Sequence, residues 1–323
     1  MPEVSAQTAS EPGQSAAVID ARGLTRTYGD LTALDGVSFT VQRGEIFGIL
    51  GPNGAGKTTL VEILEGLTRP TGGDASVLGY DIRTQINQVK ERIGVQLQAA
   101  SYHQYLTLRE ILDLFGSFYA RAADPAELLA RVRLAERADS RIGQLSGGMQ
   151  QRFSIVAALV NQPDLVFFDE PTAGLDPDAR HDLWQIVRDV REAGATVVLT
   201  THYMEEAEAL CDRVMLMEGG RIAALDTPTG LIRSLHAPYR IRATTREPLD
   251  TAALTAIPGA SEVEQGAEGD LYVHTLRTQD APRTVAAIAG LGERAGTEVV
   301  DLAVLPATLE DVFLAVTGRG LSS

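Results

Sequence analysis

The feature that most constrains this chain is a glycine-rich stretch, Gly51–Thr59, with the sequence GPNGAGKTT. It follows Glu45–Leu50, an apolar run short enough for a buried strand, and it precedes Leu60–Leu64, which has the pattern of a helix. A G-x-x-x-x-G-K-[ST] loop between a strand and a helix predicts a phosphate-binding loop. Its glycines let successive backbone N–H groups converge on phosphate oxygens, and the helix N-terminus adds a favourable dipole. The predicted nucleotide contacts are Gly51, Pro52, Asn53, Gly54, Ala55, Gly56, Lys57, Thr58 and Thr59.

Two side chains of this loop have specific predicted roles. Lys57 should reach the β- and γ-phosphates, and Thr58 should ligate Mg²⁺. The alternative is an ordinary glycine turn before a helix. The chain has only two lysines, Lys57 and Lys90, against 26 arginines. One of the two stands where a compact ammonium suits the ligand better than a forked guanidinium, which favours the phosphate loop.

Composition limits the classes of function. A chain of 323 residues fits two unequal domains. A net charge of −15 argues against a broad nucleic-acid surface, so no nucleic-acid partner is expected. The single cysteine, Cys211, excludes an intrachain disulfide and suits a reducing compartment. No apolar run approaches the roughly 20 residues that span a bilayer, so any work at a membrane requires a partner.

The patterning predicts an α/β domain at residues 18–235, after a disordered tail at residues 1–17 rich in Ser, Ala, Gln, Glu and Pro. A helical insert at about residues 99–160 interrupts it, with helices expected at 108–115 and 125–137. A smaller domain at residues 236–323 shows strands and helices in the order β-α-β-β-α-β, which predicts an α+β ferredoxin-like sandwich. Nothing in it has catalytic spacing, which favours a docking, dimerisation or regulatory role.

A second candidate anion site is Ser146-Gly147-Gly148, where serine would cap an apolar helix that continues to Val160. In isolation this tripeptide is weak evidence, because helix caps are common.

Asp169-Glu170 end the buried strand Leu165–Phe168, at the edge where open α/β sheets bind ligands. Asp169 is a candidate Mg²⁺ ligand, and Glu170 a candidate for polarising the attacking water. Without the phosphate loop, a solvated acidic pair would be the better interpretation.

Three further side chains are candidates with open alternatives. Tyr28 could stack on a purine or simply pack, and His202, at the exit of the strand Thr196–Thr200, could sense a γ-phosphate or be structural. Gln96 and Gln98 point to the same side of a predicted strand at 93–98, and periodicity does not choose between them.

Together these motifs resemble the nucleotide-binding subunit of ABC transporters, over about residues 18–235. The matching elements are the phosphate loop Gly51–Thr59, the signature Leu145–Gln150, the acidic motif Phe167–Glu170, the dimer-contact turn Gly174–Asp176, the switch His202 and the adenine-stacking Tyr28. The family pattern favours Gln98 for the glutamine loop. The C-terminal part, with Leu309–Phe313, resembles the extension of daunorubicin-resistance-type exporter ATPases.

The resemblance implies a P-loop NTPase fold, with a RecA-like core, an antiparallel β part and a helical insert. It also implies ATP and Mg²⁺, with Thr58, Gln98 and Asp169 around the metal and Lys57, Glu170, His202 and Gln98 as catalytic residues. Two cassettes, expected to be identical, would hold ATP between one phosphate loop and the partner copy's Ser146, Gly147 and Gly148, with Asp176 at the contact. The expected partner is an integral membrane permease at the cytoplasmic face of a bacterial plasma membrane, exporting a drug, antibiotic or lipid-like molecule.

Two other functions fit parts of the sequence. ABC proteins that act on ribosomes or DNA usually carry two cassettes or a long coiled-coil insert, whereas this chain has one motif set and no heptad array. A module that binds nucleotide without turnover is disfavoured by the presence of Glu170 and His202.

Overall fold

The computed structural model describes residues 17–96 and 102–318 of the chain. Contacts divide it into two compact units. The first holds the residues up to Thr201 together with Met217–Ile222, and the second holds His202–Leu216 together with the residues from Ala223 onward. The tail predicted at residues 1–17 lies outside the described residues except for Ala17, which begins the first strand.

The strands are β1 (Ala17–Tyr28), β2 (Leu31–Gln42), β3 (Ile46–Leu50), β4 (Gly72–Val77), β5 (Tyr80–Asp81), β6 (Ile93–Val95), β7 (Leu165–Asp169), β8 (Thr196–Thr201), β9 (Arg213–Glu218), β10 (Arg221–Asp226), β11 (Tyr239–Thr245), β12 (Ala260–Glu268), β13 (Leu271–Thr278) and β14 (Val299–Pro306). The α-helices are α1 (Lys57–Leu64), α2 (Ile86–Lys90), α3 (Leu108–Gly116), α4 (Pro125–Arg131), α5 (Gly147–Ala157), α6 (Pro177–Glu192), α7 (Met204–Leu210), α8 (Pro228–Arg233), α9 (Thr251–Thr255), α10 (Ala281–Ala295) and α11 (Leu309–Thr317).

The first unit is built around parallel strands in the spatial order β3-β8-β7-β6. Every residue of β3 and of β8 is buried, as expected for parallel strands whose two faces are both covered. A separate antiparallel sheet has the order β2-β1-β4-β5. The RecA-like core with an antiparallel β part, predicted from the sequence, is therefore confirmed.

The helical insert contains the predicted helix at 108–115, observed as α3. Thr107 and Glu110 form a capping box at its start. The predicted helix over 125–137 is wrong in its second half, because Arg133 takes a left-handed φ of 57° and ends α4. Leu134 N–H then donates to Leu129 O at 2.8 Å, a closure typical of helix C-termini, and a 3₁₀ turn covers Ala135–Arg137.

The predicted strand at 93–98 is shorter in the structure, because β6 ends at Val95. Gln98 lies outside the described residues. Gln96 lies just beyond β6; its N–H donates to Phe167 O at 3.0 Å, and its Oε1 is buried without a hydrogen-bond partner. The structure therefore describes only one of the two candidate glutamines.

The second unit contains the predicted ferredoxin-like sheet, with strand order β12-β13-β11-β14 and antiparallel neighbours throughout. Its core includes Ile241 and Ala243 of β11, Leu276 of β13 and Ile288 of α10. Alternating apolar residues along β11 point to this core, which explains why the order β-α-β-β-α-β could be predicted from pattern alone.

In neither described stretch does any helix combine the length and the apolar character that crossing a bilayer demands.

Replacing Phe47 with alanine should destabilise the first unit strongly. Phe47 is fully buried in β3 and stacks on Phe39, with ring centroids 5.5 Å apart. We expect a loss of about 3–5 kcal/mol in free energy of unfolding. Urea unfolding followed by the fluorescence of Trp184, the chain's single tryptophan, measures it.

Phe118→Ala is the matched control, because Phe118 is 72% exposed. It should change the free energy of unfolding by less than about 0.5 kcal/mol. Equal effects of the two substitutions would contradict the placement of Phe47 in the core.

Candidate nucleotide site

The phosphate loop connects β3 to α1 and is held by the β9–β10 hairpin tip. Gly220 N–H donates to Ala55 O at 3.1 Å. A Cβ on Gly51 would lie 2.4 Å from Met217 O, and one on Gly56 would lie 2.5 Å from Ala33 O. Neither glycine can therefore be replaced without moving backbone.

The loop's conformation also depends on left-handed backbone angles. Gly54 has φ 80° and Gly56, the residue that caps α1, has φ 99°. Such angles are accessible to glycine and aim successive N–H groups into a concave surface, which is the geometry of an anion-binding nest. Asn53, Gly54 and Thr58 are exposed, so the mouth of the loop is open to a ligand.

Lys57 is the central cation of the site. Its side chain is buried, and Nζ donates to Gly51 O at 2.6 Å and to Pro52 O at 3.2 Å. Glu170 Oε1 lies 3.9 Å from Nζ. Burial lowers the pKa of Lys57, and the nearby carboxylates of Glu170 and Asp169 partly offset this. The ammonium is thus held beside both predicted carboxylates.

The acidic pair is fixed by β8. Asp169 ends β7 and pairs with Thr200 across the parallel ladder. The Thr200 hydroxyl donates to Asp169 Oδ1, and Glu170 N–H bonds to Thr200 O at 3.1 Å. Glu170 has φ 46°, an uncommon value for a residue other than glycine. The strand ends therefore set the positions of both carboxylates.

Sequence reasoning did not find Thr200 as a site residue. The only available signal was its place at the end of a strand that could neighbour β7. Sequence reasoning also missed Glu65 at the end of α1, which is 6% exposed. Burial, with smaller contributions from Asp169 and Glu62, raises the pKa of Glu65 to about 8.

The signature segment is exposed at the first turn of α5. Ser146 caps the helix, its Oγ accepting from Met149 N–H at 3.4 Å. Ser146 and Gly147 are exposed, and a Cβ on Gly147 would meet nothing within 4 Å. A Cβ on Gly148 would lie 3.8 Å from Leu175 Cδ2, so the turn Gly174–Asp176, predicted to contact a second copy, is adjacent. Asp176 is also exposed, and its Oδ1 caps α6 by accepting from Ala179 N–H at 2.9 Å.

Two further residues predicted for the site, Tyr28 and His202, have other neighbours. Tyr28 ends β1 with 43% of its surface exposed, and the Arg26 guanidinium lies 4.2 Å from the ring centroid. His202 follows the last residue of β8 and contacts the ring of Tyr203, with centroids 4.1 Å apart. Within the described residues, neither Tyr28 nor Ser146 is hydrogen-bonded to the cluster of Lys57, Asp169 and Thr200.

The donor set fits Mg²⁺ and a triphosphate. Hard divalent cations prefer hydroxyl and carboxylate oxygens, which the exposed Thr58 and the strand-end Asp169 can supply. The glycine nest and Lys57 supply the groups that phosphates require.

A cavity of about 380 Å³ lies elsewhere on the first unit. Its walls are largely apolar and include Ile93, Val95, Phe115, Phe118 and Tyr119, together with Glu65. Phe118 is strongly exposed at its rim.

Comparison with known proteins agrees with this geometry. The ABC transporter family model matches residues 34–173. The Nod factor export ATP-binding protein I of Rhizobium sp. (strain N33) is 39% identical over 310 residues, covering 94% of this chain and 98% of that protein. The corresponding protein of Burkholderia thailandensis is 40% identical with the same coverage.

Solved structures match about two-thirds of this chain. An ATP-binding subunit of an ABC transporter superposes with a TM-score of 0.61 at 32% identity, covering 67% of this chain and 92% of that one. A dimeric ATP-binding cassette in a post-hydrolysis state with ADP and Pi gives a TM-score of 0.59 at 27% identity, covering 65% of this chain and 98% of that one. The chain therefore belongs to the ATP-binding subunits of the ABC transporter family.

Proposed function

We propose that this chain is the ATPase subunit that powers a separate membrane permease, and that two copies share each ATP. The observation that carries the proposal is the cluster at the ends of β3, β7 and β8. There a buried Lys57 ammonium lies 3.9 Å from Glu170 and beside Asp169, under an open glycine nest. Phosphoryl transfer needs mainly positioning and charge stabilisation, which this cluster supplies.

Within each copy, the backbone of Gly51–Thr59 cradles the phosphates and Lys57 neutralises the β- and γ-oxygens. Thr58 and Asp169 hold Mg²⁺, with Gln98 as a third ligand outside the described residues. When bound, the metal neutralises charge that develops on the phosphate oxygens. Glu170 orients and polarises the attacking water, and Tyr28 stacks on the adenine.

His202 is proposed to hold the γ-phosphate geometry. It is one residue beyond Thr201, which pairs with Leu50 immediately before the phosphate loop. Gln98 is proposed to report nucleotide state to the permease.

The partner copy completes the site through its Ser146, Gly147 and Gly148. One observation supports this: the N-terminus of α5 is exposed, so its first N–H groups are accessible to phosphates that the other copy's phosphate loop holds. Asp176, exposed next to this segment, lies at the copy-to-copy contact. The working assembly is then a homodimer that closes on ATP and opens after hydrolysis.

The direction of transport is proposed to be export. The curated relatives are named for Nod factor export, and the two reported above match 94% of this chain, whereas the solved cassettes cover about two-thirds of it. The proposed cargo class is a drug, antibiotic or lipid-like molecule, as for daunorubicin-resistance-type exporters. The chain would then act peripherally at the cytoplasmic face of a bacterial plasma membrane.

The apolar cavity beside β6 is proposed as the permease's docking surface, filled by an apolar cytoplasmic segment of that protein. Its wall includes Val95, three residues before Gln98, and Phe118 presents an exposed ring at the rim. Strand β6 pairs with β7, which carries Asp169. A strand in the cavity wall is therefore the direct neighbour of the strand that carries Asp169.

Glu170→Gln should preserve ATP binding and lower the hydrolysis rate about a hundredfold or more, because the amide cannot accept the proton of the attacking water. Steady-state phosphate release and equilibrium nucleotide binding measure the two effects. Glu192→Gln, at the exposed end of α6, is the control and should hydrolyse ATP normally. Wild-type hydrolysis by Glu170→Gln would refute the assigned role.

Ser146→Arg should stop hydrolysis while each chain still binds ATP at its own phosphate loop, because the bulky cation blocks the partner's ligand. Ser117→Arg makes the same change at an exposed position after α3 and should leave the rate of ATP hydrolysis unchanged. If Ser146→Arg retained activity, the shared site would be wrong.

Phe118→Asp should release the chain from membranes of its own cells, because a carboxylate in the cavity mouth opposes an apolar segment. The membrane-bound fraction after sedimentation measures it, and Phe118→Tyr, which keeps a ring, should remain bound. Undiminished membrane retention of Phe118→Asp would exclude this surface as the docking site.

A further inference from the structure

Helix α7 begins two residues after His202 and makes a specific contact with α11. Glu208, on the exposed side of α7, accepts a hydrogen bond from Leu309 N–H at 2.6 Å. Leu309 is the first residue of α11, whose initial N–H groups have no partner within the helix. The Glu208 carboxylate therefore acts as a cap for α11 and complements the positive end of its dipole.

Helix α11 is in turn fixed to the ferredoxin-like sheet by one buried carboxylate. Asp311 Oδ2 accepts from Thr308 N–H at 2.9 Å, closing a capping box. Its Oδ1 accepts from Arg240 Nη2 at 3.0 Å and from Arg277 Nη2 at 2.5 Å. Burial opposes its ionisation, but the Thr308 hydrogen bond and the two guanidinium groups keep the pKa of Asp311 below its usual value.

Apolar packing reinforces this attachment. Leu309, Val312 and Phe313 are all at most 1% exposed. The helix therefore cannot shift without breaking an ionic cluster and a packed core, and its N-terminus is a fixed point against which α7 is held.

Glu208 lies six residues beyond His202 in the sequence, and α7 begins two residues after His202, at Met204. The contacts of the chain place His202, α7 and α11 in the same compact unit. A displacement of α7 at Glu208 would therefore be carried through the short link of Tyr203 to His202. Small misplacements of a catalytic group cost large factors in rate.

We propose that Glu208 is a positioning residue for ATP hydrolysis: by capping α11 it ties α7, and with it His202, to the C-terminal domain. The inference rests on the proposed role of His202 and extends it, because it makes the C-terminal domain a regulator of turnover. Anything that moves α11 on its sheet then changes the rate of hydrolysis without touching the nucleotide.

The test is steady-state ATP hydrolysis by the full chain carrying Glu208→Ala. We expect kcat to fall about tenfold and KM for ATP to stay within about twofold, because the phosphate loop that binds ATP is unchanged. Alanine suits an exposed helix position, so the variant should fold. Glu208→Gln keeps an oxygen that accepts from Leu309 N–H and should retain at least about half of the wild-type kcat.

Glu310→Ala is the matched control. It removes an exposed glutamate from the first turn of the same helix, α11, but not the contact with α7, and should leave both constants unchanged. A general loss of helix dipole stabilisation would affect both variants, whereas a positioning contact affects only Glu208.

The double variant Glu208→Ala/His202→Ala tests whether Glu208 affects hydrolysis through His202. If Glu208 acts through His202, the double variant should be no slower than His202→Ala alone. A full tenfold loss added to that of His202→Ala would overturn the proposal, as would a normal kcat for Glu208→Ala when His202→Ala is slow. If His202→Ala itself turned over normally, the assigned role of His202 would fail first, so the two failures are distinguishable.

Discussion

The site depends on the parallel pairing of β3, β8 and β7. Leu50 pairs with Thr201, and Asp169 pairs with Thr200, so the carboxyl ends of three strands meet at one edge. That register delivers the phosphate loop and the two carboxylates to the same place from segments more than 100 residues apart. Thr200 completes the arrangement, because its hydroxyl holds Asp169 while its carbonyl holds the backbone of Glu170. A shift of one residue in the register of these strands would move Lys57 away from the carboxylates of Asp169 and Glu170.

The sequence predicted the parts of this structure whose determinants are local. The phosphate loop is recognisable from its glycines, two of which, Gly54 and Gly56, take left-handed angles. It is also recognisable from the lysine that directly follows the last of these glycines. The C-terminal sheet was predictable because apolar residues alternate along strands such as β11, and Asp280 caps α10 by accepting from Arg283 N–H at 3.1 Å.

Features set by long-range contacts were not predictable. The chemistry of Thr200 depends on which strand lies beside β7, and nothing in the run Thr196–Thr201 specifies that neighbour. The need for glycine at Gly51 arises from Met217, which approaches from 166 positions away. Arg133 ended a helix early through a left-handed angle that its sequence did not signal. The roles of all the candidate site residues remain predictions, and those of Tyr28, Ser146, Asp176 and His202 depend on a nucleotide or a second copy.

The contacts of α11 are the basis for the mechanical role that we propose for the C-terminal domain. Its fold carries no catalytic spacing, but the cluster around Asp311 holds a helix whose first N–H is bound by Glu208. Because α7 begins two residues after His202, the proposed role of His202 would let this contact regulate hydrolysis from a distance.

The central claim is that each ATP is held by two copies of the chain, and subunit mixing tests it most directly. Lys57→Ala chains lack a working phosphate loop, and Ser146→Arg chains lack a working signature, so each alone should be inactive. In a mixed dimer, the loop of the Ser146→Arg chain faces the signature of the Lys57→Ala chain, and one site is intact. Random pairing of equal amounts should restore roughly a quarter of the wild-type sites and a corresponding ATPase rate. A mixture no more active than either variant alone would contradict the shared site.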